Sequence, residues 1–336
     1  MISFGFLGVL YNILACFAVI AYRMKRLCWI GLFVLNALIC RAQYDVAFSN
    51  YWALQPFYNP AATGLDGMLN VQGAYSMQMV GFEDAPATMY AGEDLPVFLL
   101  SPNHGMGVAF LNDAAGVFST KKISLQYAYH QKLFGGKASI GIRPAMLSQG
   151  VNGGDLDMED SSDPAFASNE VKGSAFDLDV GLRYSYKKIW YAGVSVMHCM
   201  GPTITLGDEK AYEISIDPTF YVNGGYRLAF RNKQYALCTD AAFRTDMLDW
   251  RADITARLAY TGNKHKMYGG LSYSPTRSAT VLLGIDFHGV NVGYAYEMYT
   301  GGIGALHGTH ELVLGYQTDL NLFKKGKNKH KSVRLL

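Results

Sequence analysis

Residues 175–186 alternate without a break. Phe176, Leu178, Val180, Leu182, Tyr184 and Tyr186 fall on one side, and Asp177, Asp179, Gly181, Arg183 and Ser185 on the other. A period of two over this length describes a β-strand with one apolar and one polar face. The stretch also has the ~9–11 residues that a tilted strand needs to cross a membrane. Fourteen such stretches follow one another between residues 69 and 316, including 69–79, Ala87–Val97, 120–130, 250–260 and 310–316. The even count suits a single-chain barrel of the outer-membrane type. The predicted fold is therefore all-β: a transmembrane antiparallel β-barrel of about 14 strands, spanning 69–318.

The connections separate a barrel from a soluble sandwich. Let the first strand run outward. The connections 131–136, 187–188, 229–234, 261–266 and 288–289 then share one end and are short. Those at 148–174, 198–219 and 299–309 share the other end and are long. Short periplasmic turns and long outer loops are the barrel pattern. Aromatic residues cluster at both strand ends, among them Tyr184, Trp190 and Tyr260 at one and Phe243 and Trp250 at the other, as two interfacial belts would. Only 17% of the residues are charged, against about 25% in ordinary soluble domains. The inward positions carry both signs, with Arg143, Asp179, Asp240, Arg251, Asp253 and Glu297 among them. Such charges brace a lumen in pairs, and no one-sign ring of the kind that selects ions is present among them.

Residues 1–42 read as an N-terminal leader. Lys25 and Arg26 precede an apolar run, and Arg41-Ala42 precedes Gln43, so a signal peptide starting at Met24 fits by itself. The leader holds four basic and no acidic side chains, so the 29 basic and 27 acidic of the whole chain become 25 and 27 beyond it. Residues 43–68 contain two prolines and an Asn-Pro step, which exclude a central strand. Phe48, Trp52, Phe57 and Tyr58 must nonetheless be covered, which makes this extended segment a candidate plug. Residues 319–336 form a basic tail on the periplasmic side, with six basic residues in 324–334.

The search for chemistry yields little. Asp155, Asp157, Glu159, Asp160 and Asp163 crowd one loop, but the glycine and distal glutamate of a calcium loop are missing, so it reads as solvated. Cys199 and Cys238 are too few for a disulfide framework. No spacing supports a catalytic triad around His310-Glu311, and no phosphate loop, metal or cofactor motif or nucleic-acid motif is present. These readings predict a protein that is not an enzyme, with outer-membrane lipid as its first partner.

Two motifs at opposite ends go further. Asp45-Val-Ala-Phe48-Ser49-Asn-Tyr51, followed by Asn59-Pro60-Ala-Ala-Thr-Gly64, resembles the opening of the PorP/SprF family. Gly293-Tyr-Ala-Tyr-Glu297 and then Gly308-Thr309-His310-Glu311-Leu312 resemble its end. The resemblance covers 43–316. It implies a non-enzymatic outer-membrane component of the type IX secretion system of Bacteroidetes, supporting export or surface attachment of proteins such as gliding adhesins. The implied partners are a type IX secreted surface protein, through its C-terminal signal domain, and a periplasmic secretion ring or peptidoglycan-binding lipoprotein. His310 and Glu311 are expected to brace the last strand or close the barrel seam. The second reading, from the barrel alone, is a general porin or solute channel.

Overall fold

The computed structural model describes residues 45–97, 103–152, 170–206, 212–263, 265–275, 277–301 and 307–319. The leader 1–42, the acidic residues 155–163 and the basic run 324–334 lie outside them.

Fourteen strands close into one antiparallel barrel. The first seven are β1 (Leu69–Met77), β2 (Ala87–Val97), β3 (His104–Ala115), β4 (Phe118–Leu133), β5 (Gly136–Asn152), β6 (Glu170–Tyr186) and β7 (Trp190–Met197). After a small hairpin, β8 (Thr203–Leu206) and β9 (Tyr212–Ser215), the wall resumes with β10 (Thr219–Ala229), β11 (Tyr235–Thr245) and β12 (Trp250–Thr261). It ends with β13 (His265–Ser274), β14 (Ser278–Phe287), β15 (Val290–Tyr299) and β16 (Thr309–Thr318). β16 pairs with β1 from Leu69↔Thr318 to Met77↔His310, so no edge is left open. Every wall strand thus satisfies its ladder within the protein, the condition for crossing hydrocarbon.

The alternation sorts the two faces. On β4, Ile123 and Leu125 are 62% and 60% exposed, while Ser124, Gln126 and His130 are buried. The buried set faces the lumen and the exposed set faces lipid. Aromatic pairs mark both ends of the wall: Tyr184 against Trp190 at 5.3 Å and Tyr235 against Tyr260 at 5.2 Å at one, Phe243 stacked on Trp250 at 6.2 Å at the other. Three of the short turns are built from adjacent left-handed residues, Phe134-Gly135, Lys187-Lys188 and His288-Gly289. This is the backbone that matches the twist of a tight hairpin.

Several details differ from the sequence reading: β4 runs on to Leu133, and β5 and β6 extend to Asn152 and from Glu170, into residues read as connections, because the ladder continues beyond the alternating stretches. The alternation of β1 extends to Met79, but the strand stops at Met77 and Met79 takes a φ of 49°, which turns the chain. Residues 198–219, read as a loop, contain the β8–β9 hairpin. Its Ile204 and Leu206 are buried with Leu147, Val151 and Ile216 on the inner side of the long-loop end of β5 and β6. At Gly173 a Cβ would lie 2.3 Å from the Thr205 carbonyl oxygen, so only glycine admits the hairpin this closely.

Leu125 tests the lipid-facing assignment. Leu125→Arg should lower the free energy of unfolding from phospholipid vesicles by about 2–4 kcal/mol if the site lies near the midplane, read from urea titrations. An unchanged midpoint would remove β4 from the hydrocarbon.

Candidate functional site

Proline and asparagine shape the segment before the barrel. Pro56 stands second in a single helical turn, Gln55–Tyr58, where its missing amide N–H costs nothing. Pro60 begins a 3-10 turn, Pro60–Ala62, capped by the Asn59 side chain, which accepts from the Ala61 amide at 2.9 Å. The Asn59 amide group then donates to the carbonyls of Leu182 on β6 (3.0 Å) and Val194 on β7 (3.2 Å). One side chain thus holds its own turn and fastens it to the wall. The wall is flat there because Gly141 and Gly181 are paired across β5 and β6. A Cβ would come within 2.3 Å of Ala61 N at the first and 2.1 Å of Asn59 Oδ1 at the second. Gly64 has a φ of +67° and sits on Gly105 of β3 at a similarly close approach, its amide donating to Asp94 on β2.

The aromatic residues form a cluster in the same space. Phe57 meets Phe48 at 5.3 Å, Tyr58 at 4.8 Å and Tyr90 at 5.1 Å, all edge to face, the favoured arrangement for aromatic rings. The Tyr58 hydroxyl accepts from the Phe48 amide at 2.7 Å. Burial pushes the ionisation of this phenol above its ordinary range. Opposite, the Tyr51 hydroxyl donates to the Asp240 carbonyl of β11 at 2.8 Å, and Trp52 packs against Tyr268 of β13 and under the Arg257 guanidinium. Contacts on β2, β6, β11, β13 and β16 can be reached at once only from within the lumen.

Two polar anchors hold the start of the segment. The first is Glu311 on β16, 1% exposed. It accepts from the amides of Ser49 at 2.6 Å and Asn50 at 2.9 Å, and from the Asn50 side chain at 2.7 Å. Charge-assisted bonds of this kind are about twice as strong as neutral ones. The second anchor is Asp45, which binds His198 Nε2 at 3.1 Å and accepts from the Tyr221 hydroxyl at 2.8 Å. His198 Nδ1 lies 2.7 Å from Asp177. Lys122 bridges Asp177 at 2.9 Å and Asp179 at 3.0 Å, and Arg143 holds Asp179 at 2.6 Å. Arg143 also donates to the Phe57 carbonyl at 2.7 Å. Burial disfavours the Asp45 carboxylate, but the hydrogen bond and charge of His198, the Lys122 charge and Tyr221 outweigh it and hold the carboxyl well below the usual range. Burial likewise opposes charge on His198, but its bonds to Asp177 and Asp45 raise it to about 9.

With His198 protonated, three cations face three carboxylates and the buried network is neutral. The ligand atoms of Asp177, Asp179 and His198 lie within 4.8 Å of one another, near enough to share a metal ion. The same carboxylates already receive Lys122 and Arg143, so the charge that would draw a metal is met by the chain.

Of the residues singled out in the sequence, Asp45, Phe48, Ser49, Tyr51, Asn59, Pro60, Gly64 and Glu311 meet in the lumen. His310 does not. Its neighbour faces inward, so it faces outward, where Nδ1 lies 2.7 Å from the Tyr294 hydroxyl and the ring is 4.8 Å from that of Tyr296. Both partners are on β15, away from the seam with β1. The Glu311 carboxylate goes to the segment, and backbone pairing joins β16 to β1. Thr309 is buried beside the Tyr299 hydroxyl at 2.8 Å, and the Gly308 carbonyl accepts from Val80 at 3.2 Å. Asn50, Lys122 and His198 were missed. Asn50 lies inside a quoted motif, whereas nothing near Lys122 or His198 in sequence marks them as partners of Asp45.

A family model described as "Type IX secretion system membrane protein PorP/SprF" matches residues 40–316. No curated protein matches the chain. Similar solved structures include the Ralstonia pickettii toluene transporter TbuX (13% identity, 78% of this chain and 92% of that one, TM-score 0.47). A Pseudomonas aeruginosa FadL homologue (10% identity, 78% and 92%, TM-score 0.45) and the CymD monoaromatic hydrocarbon channel (11% identity, 82% and 94%, TM-score 0.47) are others. Similarity at this level carries no information about ligands.

Two outcomes follow from the anchors. Glu311→Ala leaves the Ser49 and Asn50 amides buried without an acceptor, at about 1–3 kcal/mol for each. Hydrogen exchange at those two amides should accelerate by at least about tenfold; unchanged protection would mean that Glu311 does not hold the segment. The raised His198 pKa stabilises the folded state fully below about 6.5 and loses that contribution as pH rises through about 9. Thermal melts of the detergent-solubilised protein should therefore fall between these limits, and His198→Gln should flatten that slope.

Proposed function

The chain belongs to the PorP/SprF family of type IX secretion system membrane proteins, and from that premise we propose that it is a closed docking barrel of the outer membrane which supports export or surface attachment of type IX secreted proteins. The observation that carries this reading is the occupied lumen. A solute channel needs a continuous aqueous path, and here the segment 45–64 lies across it, tied at one end to β16 through Glu311 and at the other to β2 through Asp94. What remains for function are the two ends.

By the general orientation of such barrels, the long-loop end faces outward. That end, where the β8–β9 hairpin lies, is the surface for a secreted protein such as a gliding adhesin, received through its C-terminal signal domain. The short-turn end, followed by the basic residues 324–334, is then available to a periplasmic secretion ring or a peptidoglycan-binding lipoprotein. In this reading Asp45, Phe48, Ser49, Tyr51, Asn59, Pro60, Gly64 and Glu311 keep the barrel shut and its ends in fixed shape. Gly308, Thr309 and His310 support the outer edge of the last strand. None of these residues takes part in catalysis.

The surface and secreted proteome of a strain lacking this protein tests the proposal. Loss of one or a few large surface proteins identifies a dedicated partner, and loss of all type IX substrates a part of the common machine. An unchanged proteome, together with steady conductance of the purified barrel in planar bilayers, would replace this reading with a porin.

A further inference from the structure

On the short-turn side of the segment the lumen widens into a cavity of about 840 Å³. Trp52, Pro56 and Leu65 of the segment line its inner end, and Gly135, Lys187 and Gly289 of the short turns line its mouth. Its charges are not evenly spread. Lys132, Lys137, Arg183, Lys187, Lys188 and Arg227 line the side made by β4 to β10, and none of the lining carboxylates lies on those strands. The carboxylates elsewhere on the lining are engaged: Asp240 by Arg257, Asp286 by Lys266, and Asp94 by Asn70 and the Gly64 amide. Asp66 is exposed on the segment itself.

Arg183 is the deepest of these cations. It is 6% exposed, and its Nε and Nη1 are buried without a hydrogen-bond partner among the described residues. No ion pair joins it to a carboxylate among them. Its guanidinium is stacked 4.0 Å from the centre of the Tyr191 ring, and the Tyr191 hydroxyl, committed to Asp240 at 2.9 Å, keeps that ring in place. A buried, unpaired guanidinium is costly unless an anion completes it. A stacked, planar fork is pre-organised for a carboxylate.

We propose that this vestibule binds an extended acidic peptide entering from the short-turn end, with one carboxylate held by Arg183 and others by the lysines of the mouth. The volume lies in the range that holds a ligand far larger than a single ion, and the cations run from the depth of the cavity to its rim, so several carboxylates in a row match them. The chain's own residues 324–334 carry six basic side chains and have the wrong sign to occupy it. The site is separate from the Glu311 and Asp45 anchors, shares Asp94 and Lys137 with the far end of the segment, and stands whether or not the outer end receives a secreted protein.

The test is fluorescence anisotropy on the full chain in detergent, with a short peptide of alternating Asp and Glu carrying a neutral dye. Binding should weaken with added salt. Arg183→Gln should raise Kd by about tenfold or more, and the double variant Lys187→Gln/Lys188→Gln by several-fold. The latter pair sits on an exposed turn, so it tests the site even if Arg183→Gln fails to fold. Equal affinity of both variants and the parent overturns the proposal. So does equal binding of the matching Asn/Gln peptide. Complete displacement by excess inorganic phosphate would reduce the site to one for a small oxyanion and overturn the peptide.

Discussion

In hydrocarbon an unpaired backbone N–H or C=O costs several kcal/mol, and no water is present to relieve it. The register between β1 and β16 is therefore the contact on which the rest depends. Nine residue pairs, from Leu69↔Thr318 to Met77↔His310, turn an open sheet with two edges into a wall with none. Closure also sets the problem that the interior must solve. Every second residue of every strand now points into a shared space, and those residues are mostly polar.

The interior solves it with the chain that precedes the barrel. Carboxylates at inward positions are matched by Lys122, Arg143, Arg251 and Arg257. Where the wall supplies no donor, the segment does, as when Glu311 takes the Ser49 and Asn50 amides. The segment has polar backbone of its own and needs partners in turn. Arg143 meets its carbonyls, and the Ser195 hydroxyl donates to Tyr58 O at 2.6 Å. Wall and segment are thus mutually satisfying, and the two halves of the family's sequence signature are found bonded to each other across 262 residues of chain. The side turned away from these anchors leaves Arg183 stacked on Tyr191 with no ion pair to a carboxylate among the described residues, which sets the vestibule apart chemically from the rest of the lumen.

Much of this was legible in order. A period of two shows directly in the residues, so fourteen wall strands, the two faces of the most regular of them and the placing of the longest connections at one end could be read off. The hairpin β8–β9 was legible in part, since Thr203, Ile204, Thr205 and Leu206 alternate. Four residues carry too little pattern to separate a strand from a loop, and what makes them a hairpin is the apolar inner surface offered by Leu147 and Val151. His310 shows the opposite case. Adjacent residues of a strand face opposite sides, so His310 and Glu311, neighbours in one motif, could never share a task; the alternation itself implied this.

The sequence by itself determined that this chain is an outer-membrane barrel with a short-turn end and a long-loop end, because those properties reside in local periodicity and connection length. Only the tertiary structure decided what fills the barrel. Asp45 meets His198, Asn59 meets the carbonyls of Leu182 and Val194, and Glu311 meets Ser49 because closing the sheet brings distant strands within a few ångströms of one another. Such pairings depend on where strands sit around a circumference, and a one-dimensional pattern of polar and apolar residues is the same for every partner a side chain might find across a lumen.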